Sequence, residues 1–264
     1  MANLQTIRTV GVLGHVGNKN LGDEALVAAV IQNVKRRYAD AEIRGFTINP
    51  EDTRQRHGIR AFPIQKEANR HRRPEAPPDG RTETQASQTE SRLMVGIKAA
   101  SKKVPLLYAF LKGIQKTLQF LRGSIEEARF LYQSYRNLKG TELLIVAGSQ
   151  QLSDYFGGAW GFPYTLFKWS ILARVTGTKV AFVSVGAGPL KSRLSRLFVN
   201  CSIRLASYRS YRDQESKKLI EEIGITGENP VFPDLVYSLK IAEPQSKSPA
   251  PPHSPPIVAI NPMP

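Results

Sequence analysis

A chain of 264 residues, 41% of them hydrophobic, can bury a substantial core as one large or two small domains. Its single cysteine, Cys201, excludes an internal disulfide, and no apolar run approaches the roughly 18–20 residues needed to span a bilayer. The formal net charge of +15 leaves nucleic acid and anionic membrane surfaces open as partners until the charge is located along the chain.

The chain enters its first apolar run without the charged and apolar regions of a signal peptide, so a cytoplasmic location is expected. Val10-Gly11-Val12-Leu13 reads as a buried strand. A turn rich in glycine follows, Gly14-His15-Val16-Gly17-Asn18, and then a helix start, Leu21-Gly22-Asp23-Glu24-Ala25-Leu26. Gly11, Gly14 and Gly17 do not have dinucleotide spacing, and no Gly-Lys-Ser/Thr follows to make a P-loop. Asp23 and Glu24 place negative charge where a helix N-terminus would otherwise attract an anion, which disfavours a phosphate resting directly on this turn. Ionised carboxylates only accept hydrogen bonds, so they suit sugar hydroxyls or the loop's own N–H groups. A plain helix cap is the competing role for Asp23.

The positive charge is concentrated beyond this turn. Arg54, Arg56, Arg60, Lys66, Arg70, Arg72 and Arg73 lead into a stretch rich in Pro, Ser, Thr and Gln, so residues 66–92 are expected to form a disordered basic and polar insert. Residues 93–139 read as basic helix, with Leu106, Leu107, Phe110, Leu111, Ile114, Leu118 and Leu121 at helical spacing among Lys102, Lys103, Lys112, Lys116 and Arg122. Such a helix either packs on its own domain with a solvated basic face or lies on an anionic bilayer, giving peripheral contact at the inner face of the membrane. No nucleic-acid motif accompanies the charge, and nucleic acid is not the expected partner.

The α/β pattern then resumes. Glu142 to Ala147 predicts a strand ending at Gly148, Trp160 to Val175 a helix, and Lys179 to Val185 a strand ending in Gly186-Ala187-Gly188-Pro189. Leu194 to Leu205 predicts a helix, Ala206 to Tyr211 a strand, and Gln214 to Ile223 a helix capped by Asp213 and stopped at Gly224. Val231 and Phe232 open one further strand or loop. Repeated strand–helix units imply a Rossmann-like parallel sheet with helices on both faces. Ligands of such sheets collect at the strand carboxyl ends, where the chain has Gly14 to Gly22, Gly148 to Asp154, Gly186 to Pro189, Arg212-Asp213 and Pro233-Asp234.

Several of these segments together resemble the polysaccharide pyruvyl transferase family. They are Gly17-Asn18 with Leu21 to Ala25, Gly148 to Asp154 with Trp160-Gly161 and Lys168-Trp169, Ser184 to Leu190, and Tyr208 to Asp213 with Ser216, in the family's order. The resemblance implies the N-terminal domain, residues 1–240, of a two-domain transferase of GT-B-like architecture. The implied reaction moves a ketal pyruvate from phosphoenolpyruvate to a sugar of a cell-surface polysaccharide or its lipid-linked precursor. Phosphoenolpyruvate is then a donor substrate, with no further cofactor and no metal.

On that reading Arg212 is the natural clamp for the donor's carboxylate or phosphate. Gly186 and Gly188 would let backbone N–H groups approach an anion, while Gly17, Asn18 and Asp23 would shape the acceptor side. Gly148, Asp154 and Asp213 complete the expected binding set. No catalytic acid and base can be paired from the sequence, and His15 is the candidate that lies at a strand end. A sugar-nucleotide glycosyltransferase of the same architecture and a non-catalytic basic module that binds membrane or nucleic acid are the alternatives. Residues 241–256 read as a Pro/Ser-rich linker, and 257–264 as the first strand of a second domain. The expectation is thus an N-terminal fragment, inactive or incomplete by itself.

Overall fold

The computed structural model describes residues 7–17, 20–66, 105–155 and 157–241. The expected linker beyond residue 241 and the second-domain start lie outside these residues, as do positions 67–104 and Asn18. The strands are β1 (Thr9–Leu13), β2 (Glu42–Thr47), β3 (Arg60–Pro63), β4 (Leu143–Ala147), β5 (Lys179–Val185) and β6 (Tyr208–Tyr211). All pairings are parallel, in the order β3-β2-β1-β4-β5-β6. The helices are α1 (Leu21–Arg37), α2 (Pro50–His57), α3 (Pro105–Leu138), α4 (Phe162–Thr176), α5 (Arg193–Arg204) and α6 (Gln214–Glu222).

The apolar strands are continuous because both faces of the sheet are covered. Val10 and Val12 pack with Val27, Val30, Ile31 and Val34 of α1. On the opposite face Leu13, Leu144, Val146 and Phe182 join Leu138 of α3 and Leu166 and Trp169 of α4. Trp169 is 1% exposed, and its indole N–H donates to the Ile64 carbonyl at 3.1 Å, which locks α4 onto the end of β3. Truncating such a ring costs on the order of 3–5 kcal/mol. Glu127 ties α3 to the same region, meeting Lys66 at 2.8 Å and the buried Lys168 of α4 at 3.2 Å. Burial opposes ionisation of both Glu127 and Lys168. The two lysines nevertheless hold the Glu127 carboxyl below its ordinary value, whereas burial prevails at Lys168 and lowers it.

Helix starts are set by side-chain caps. Asn20, Asn49, Ser192 and Asp213 each accept a backbone N–H from the first turn of α1, α2, α5 and α6. The capping role weighed for Asp23 therefore belongs to Asn20, and Asp23 sits within the first turn of α1. The helix expected from Trp160 begins at Phe162, because Gly161 takes the capping position ahead of Pro163; Gly158–Trp160 form a separate 3-10 turn. The last strand is shorter than expected, since the chain must turn through Ala206 and Ser207 after α5. Val231 forms only an isolated bridge to Tyr211. β1 and β4 are neighbours although β2 and β3 lie between them in sequence, so the chain departs in opposite directions from these two strands. In doubly wound sheets such a switch point, here between the carboxyl ends of β1 and β4, is where ligands are expected to bind.

Candidate functional site at the carboxyl edge of the sheet

The turn after β1 is built around two buried carboxylates. Asp23, 8% exposed, accepts from Asn20 Nδ2 at 2.9 Å and lies 3.4 Å from His15 Nδ1. The His15 ring packs 4.9 Å from that of Phe162, at the start of α4, so it links the turn after β1 to the segment that follows β4. Glu24, 5% exposed, accepts the Gly17 N–H at 2.9 Å and meets His57 Nε2 at 2.8 Å and Arg56 Nε at 3.8 Å. Gly17 has φ +92°, and a Cβ there would lie 2.8 Å from the Asn49 nitrogen, so only glycine lets the turn close against β2's exit. Glu24 is thus a brace for the turn, while Asp23 orients His15.

His57 had no signal in the sequence. It ends α2, 33 positions from Glu24, and only the parallel β1–β2 pairing brings the two helices' polar ends together.

The turn after β4 is strained and tightly held. Gly148 has φ +43°, and Ser149 adopts φ +59° where a side chain is disfavoured. Gln151 is 2% exposed; its amide donates to the Ala147 carbonyl at 3.1 Å, while Oε1 has no hydrogen-bond partner among the described residues. Asp154 Oδ2 accepts from the Lys191 and Ser192 N–H groups at 2.6 and 3.1 Å, which fastens this turn to the start of α5.

The Gly186–Pro189 segment corrects one expectation. The Gly186 N–H donates to the Ser149 carbonyl at 2.8 Å, Ala187 to Ser216 Oγ at 2.8 Å, and Gly188 to the Leu152 carbonyl at 3.0 Å. These groups are already bonded within the edge and do not form an open anion cradle. The glycines instead permit close side-chain approach. A Cβ at Gly186 would sit 2.7 Å from Arg212 Nε, and one at Gly188 would sit 2.8 Å from Gln150 Nε2.

Arg212 therefore lies over Gly186, from the end of β6 toward the end of β5. Its Nε donates to Asp213 Oδ2 at 3.2 Å, its side chain is 30% exposed, and its Nη groups have no hydrogen-bond partner among the described residues. Asp213 also accepts the Ser216 N–H at 2.7 Å as the cap of α6. Burial opposes its ionisation, but the Ser216 bonds and the adjoining guanidinium outweigh it and hold the carboxyl below its ordinary value. Burial pushes the neighbouring Tyr211 phenol up to about 12, so it remains protonated.

Gly17, Asp23, Gly148, Asp154, Gly186, Gly188, Arg212 and Asp213 thus all fall on one edge of the sheet, with His15 among them. Asp234 does not join them, because it caps a 3-10 turn, Leu235–Ser238, which docks on α1 through an Asn33–Ser238 bond of 2.8 Å. The edge pairs a region of carboxylate and imidazole with a cationic region, a division suited to holding a neutral hydroxylic group beside an anion. Compared with known proteins, residues 20–262 match the family model described as polysaccharide pyruvyl transferase. No curated protein and no solved structure matches the chain.

Proposed function

The chain belongs to the polysaccharide pyruvyl transferase family, and from that premise we propose that its sheet edge takes phosphoenolpyruvate at the Arg212 end and a glycan hydroxyl at the His15–Asp23 end. The observation that carries this reading is the Arg212 guanidinium, laid over Gly186 with its Nη donors directed to no protein group among the described residues. A planar fork of this kind matches a carboxylate or phosphate in bidentate fashion.

The spacing of the two ends supports separate donor and acceptor roles. β6 is three strands from β1, about 14 Å at the usual strand separation, and the reach of Arg212 toward β5 shortens that to about 10 Å. Donor and acceptor would then meet near the ends of β4 and β5.

Ketal formation joins C2 of the enolpyruvate to two sugar oxygens and breaks its bond to the phosphate oxygen. The two hydroxyls each lose a proton; one ends on the methylene carbon, which becomes methyl, and the other leaves with the inorganic phosphate. His15 is the group assigned to proton transfer. If Nδ1–H faces Asp23, the carboxylate fixes the tautomer that presents Nε2 as the basic nitrogen.

Assaying the full-length gene product with phosphoenolpyruvate and a panel of cell-surface glycans tests the reading. The expected result is inorganic phosphate released in step with acid-labile pyruvate on the glycan. Transfer from a sugar nucleotide, with phosphoenolpyruvate left intact, would overturn it.

A further inference from the structure

The helix α3 is far longer than the strand it serves. Its 34 residues extend about 51 Å, against about 17 Å for the five residues of β4. It runs antiparallel to the strands, because its C-terminus feeds the start of β4. Lys66, just beyond the carboxyl end of β3, donates to the Gly123 carbonyl at 3.0 Å and pairs with Glu127 at 2.8 Å. Gly123 and Glu127 therefore mark the level of the carboxyl edge, and the helix before them projects past the sheet on the same side as the candidate site.

One face of α3 is buried through Phe130, Ser134 and Leu138. On the opposite face Leu118, Leu121, Ile125 and Tyr132 are 60%, 51%, 54% and 63% exposed. Arg122, Arg129 and Arg136 lie on that same face and are also exposed. At 100° per residue these seven side chains share an arc of about 100°. The apolar group recurs at intervals of seven in Leu118, Ile125 and Tyr132, and the arginines repeat the interval four residues later. Glu126 borders the arc and is bonded to Arg122 at 3.2 Å.

The charge decides what can cover this face. A second copy of the helix would set one row of arginines beside another, with no row of acids to answer it. An anionic, planar and partly apolar surface meets both rows at once: the leucines and isoleucine enter the acyl boundary, while the arginines and the tyrosine hydroxyl stay at headgroup level. The stripe is straight and about 27 Å long from Leu118 to Arg136. No helix among the described residues is long and apolar enough to cross a membrane, so the contact is with a surface.

We propose that this face of α3 docks the protein on an anionic lipid bilayer, with the helix lying along the membrane surface. The proposal is independent of the donor and acceptor assigned above, since it rests on α3 alone.

Co-sedimentation with vesicles of phosphatidylcholine alone, and with phosphatidylglycerol added, tests it. The protein should partition onto the anionic vesicles. Replacing Arg122, Arg129 and Arg136 together by Gln should weaken that partition about a hundredfold, from three basic residues near the surface. Replacing Leu118, Leu121 and Ile125 by Ser should also lower it, with an unchanged thermal unfolding profile. In an Ile125→Trp variant the fluorescence should shift to the blue on adding anionic vesicles. Partition that survives the Ser replacements, an Ile125→Trp emission that does not move, or a dimer in sedimentation equilibrium that those replacements dissociate would each overturn the proposal.

Discussion

The two ends of the site use opposite means to hold a loop. At the β1 end, buried carboxylates accept from the loop and from histidines: Glu24 from Gly17 and His57, Asp23 from Asn20 beside His15. At the β5–β6 end the backbone N–H groups are bonded within the edge, and the charged group left facing outward is a guanidinium. The first end repels an anion and suits hydroxyl donors, whereas the second suits an anion through a side chain rather than through a cradle of amides. One sheet edge thus separates two chemistries that a transfer reaction must bring together.

Substitutions at the two ends should separate in kind as well as size. The largest effect is expected at His15. If it moves a proton, His15→Ala should lower kcat by about 10²- to 10⁴-fold with little change in KM for phosphoenolpyruvate, measured by initial rates of phosphate release. A change confined to KM would move His15 out of the proton-transfer role. Gly17→Ala should be felt in stability, because it forces a side chain into a left-handed conformation against Asn49. A loss of about 2 kcal/mol in urea unfolding is expected, with glycan KM raised as well. The smallest effect is expected for Asp213→Ala, about 1 kcal/mol from loss of the α6 cap.

That last effect carries a sign in pH. The Asp213 carboxyl is held below its unfolded value, so its contribution is fully present above about pH 4 and is lost as pH falls through the lowered folded value. The stability difference between wild type and Asp213→Ala should therefore shrink on acidification, and unfolding curves at pH 7 and pH 3 would show it.

The parts of the fold legible in sequence are those whose signal is local. β5 begins and ends where its apolar run does, between Lys179 and Val185, and Asp213 caps α6 as its place before the helix predicts. The β2–α2–β3 segment was opaque, because Glu42, Arg44 and Arg60 interrupt the apolar pattern in the outer half of the sheet; Glu42 pairs with Arg44 along β2 and with Arg60 across to β3. The place of Arg212 at the end of β6 was legible from the strand predicted before it. The bonding of the Gly186 and Gly188 N–H groups was not, since their acceptors, the Ser149 and Leu152 carbonyls, belong to another strand's turn. The His57–Glu24 pair was hidden for the same reason. Local sequence indicates which turns meet at the edge, but which groups remain open there is set by long-range bonding.

The donor assignment is tested most directly by titrating phosphoenolpyruvate into the wild-type protein and into Arg212→Ala, with His15→Ala alongside, by calorimetry at fixed salt. If Arg212 clamps the donor, its loss should weaken binding by about 10- to 100-fold, as expected for charged hydrogen bonds, while His15→Ala binds as the wild type does. Equal affinity of the wild type and Arg212→Ala would contradict the assignment of the donor to the β5–β6 end.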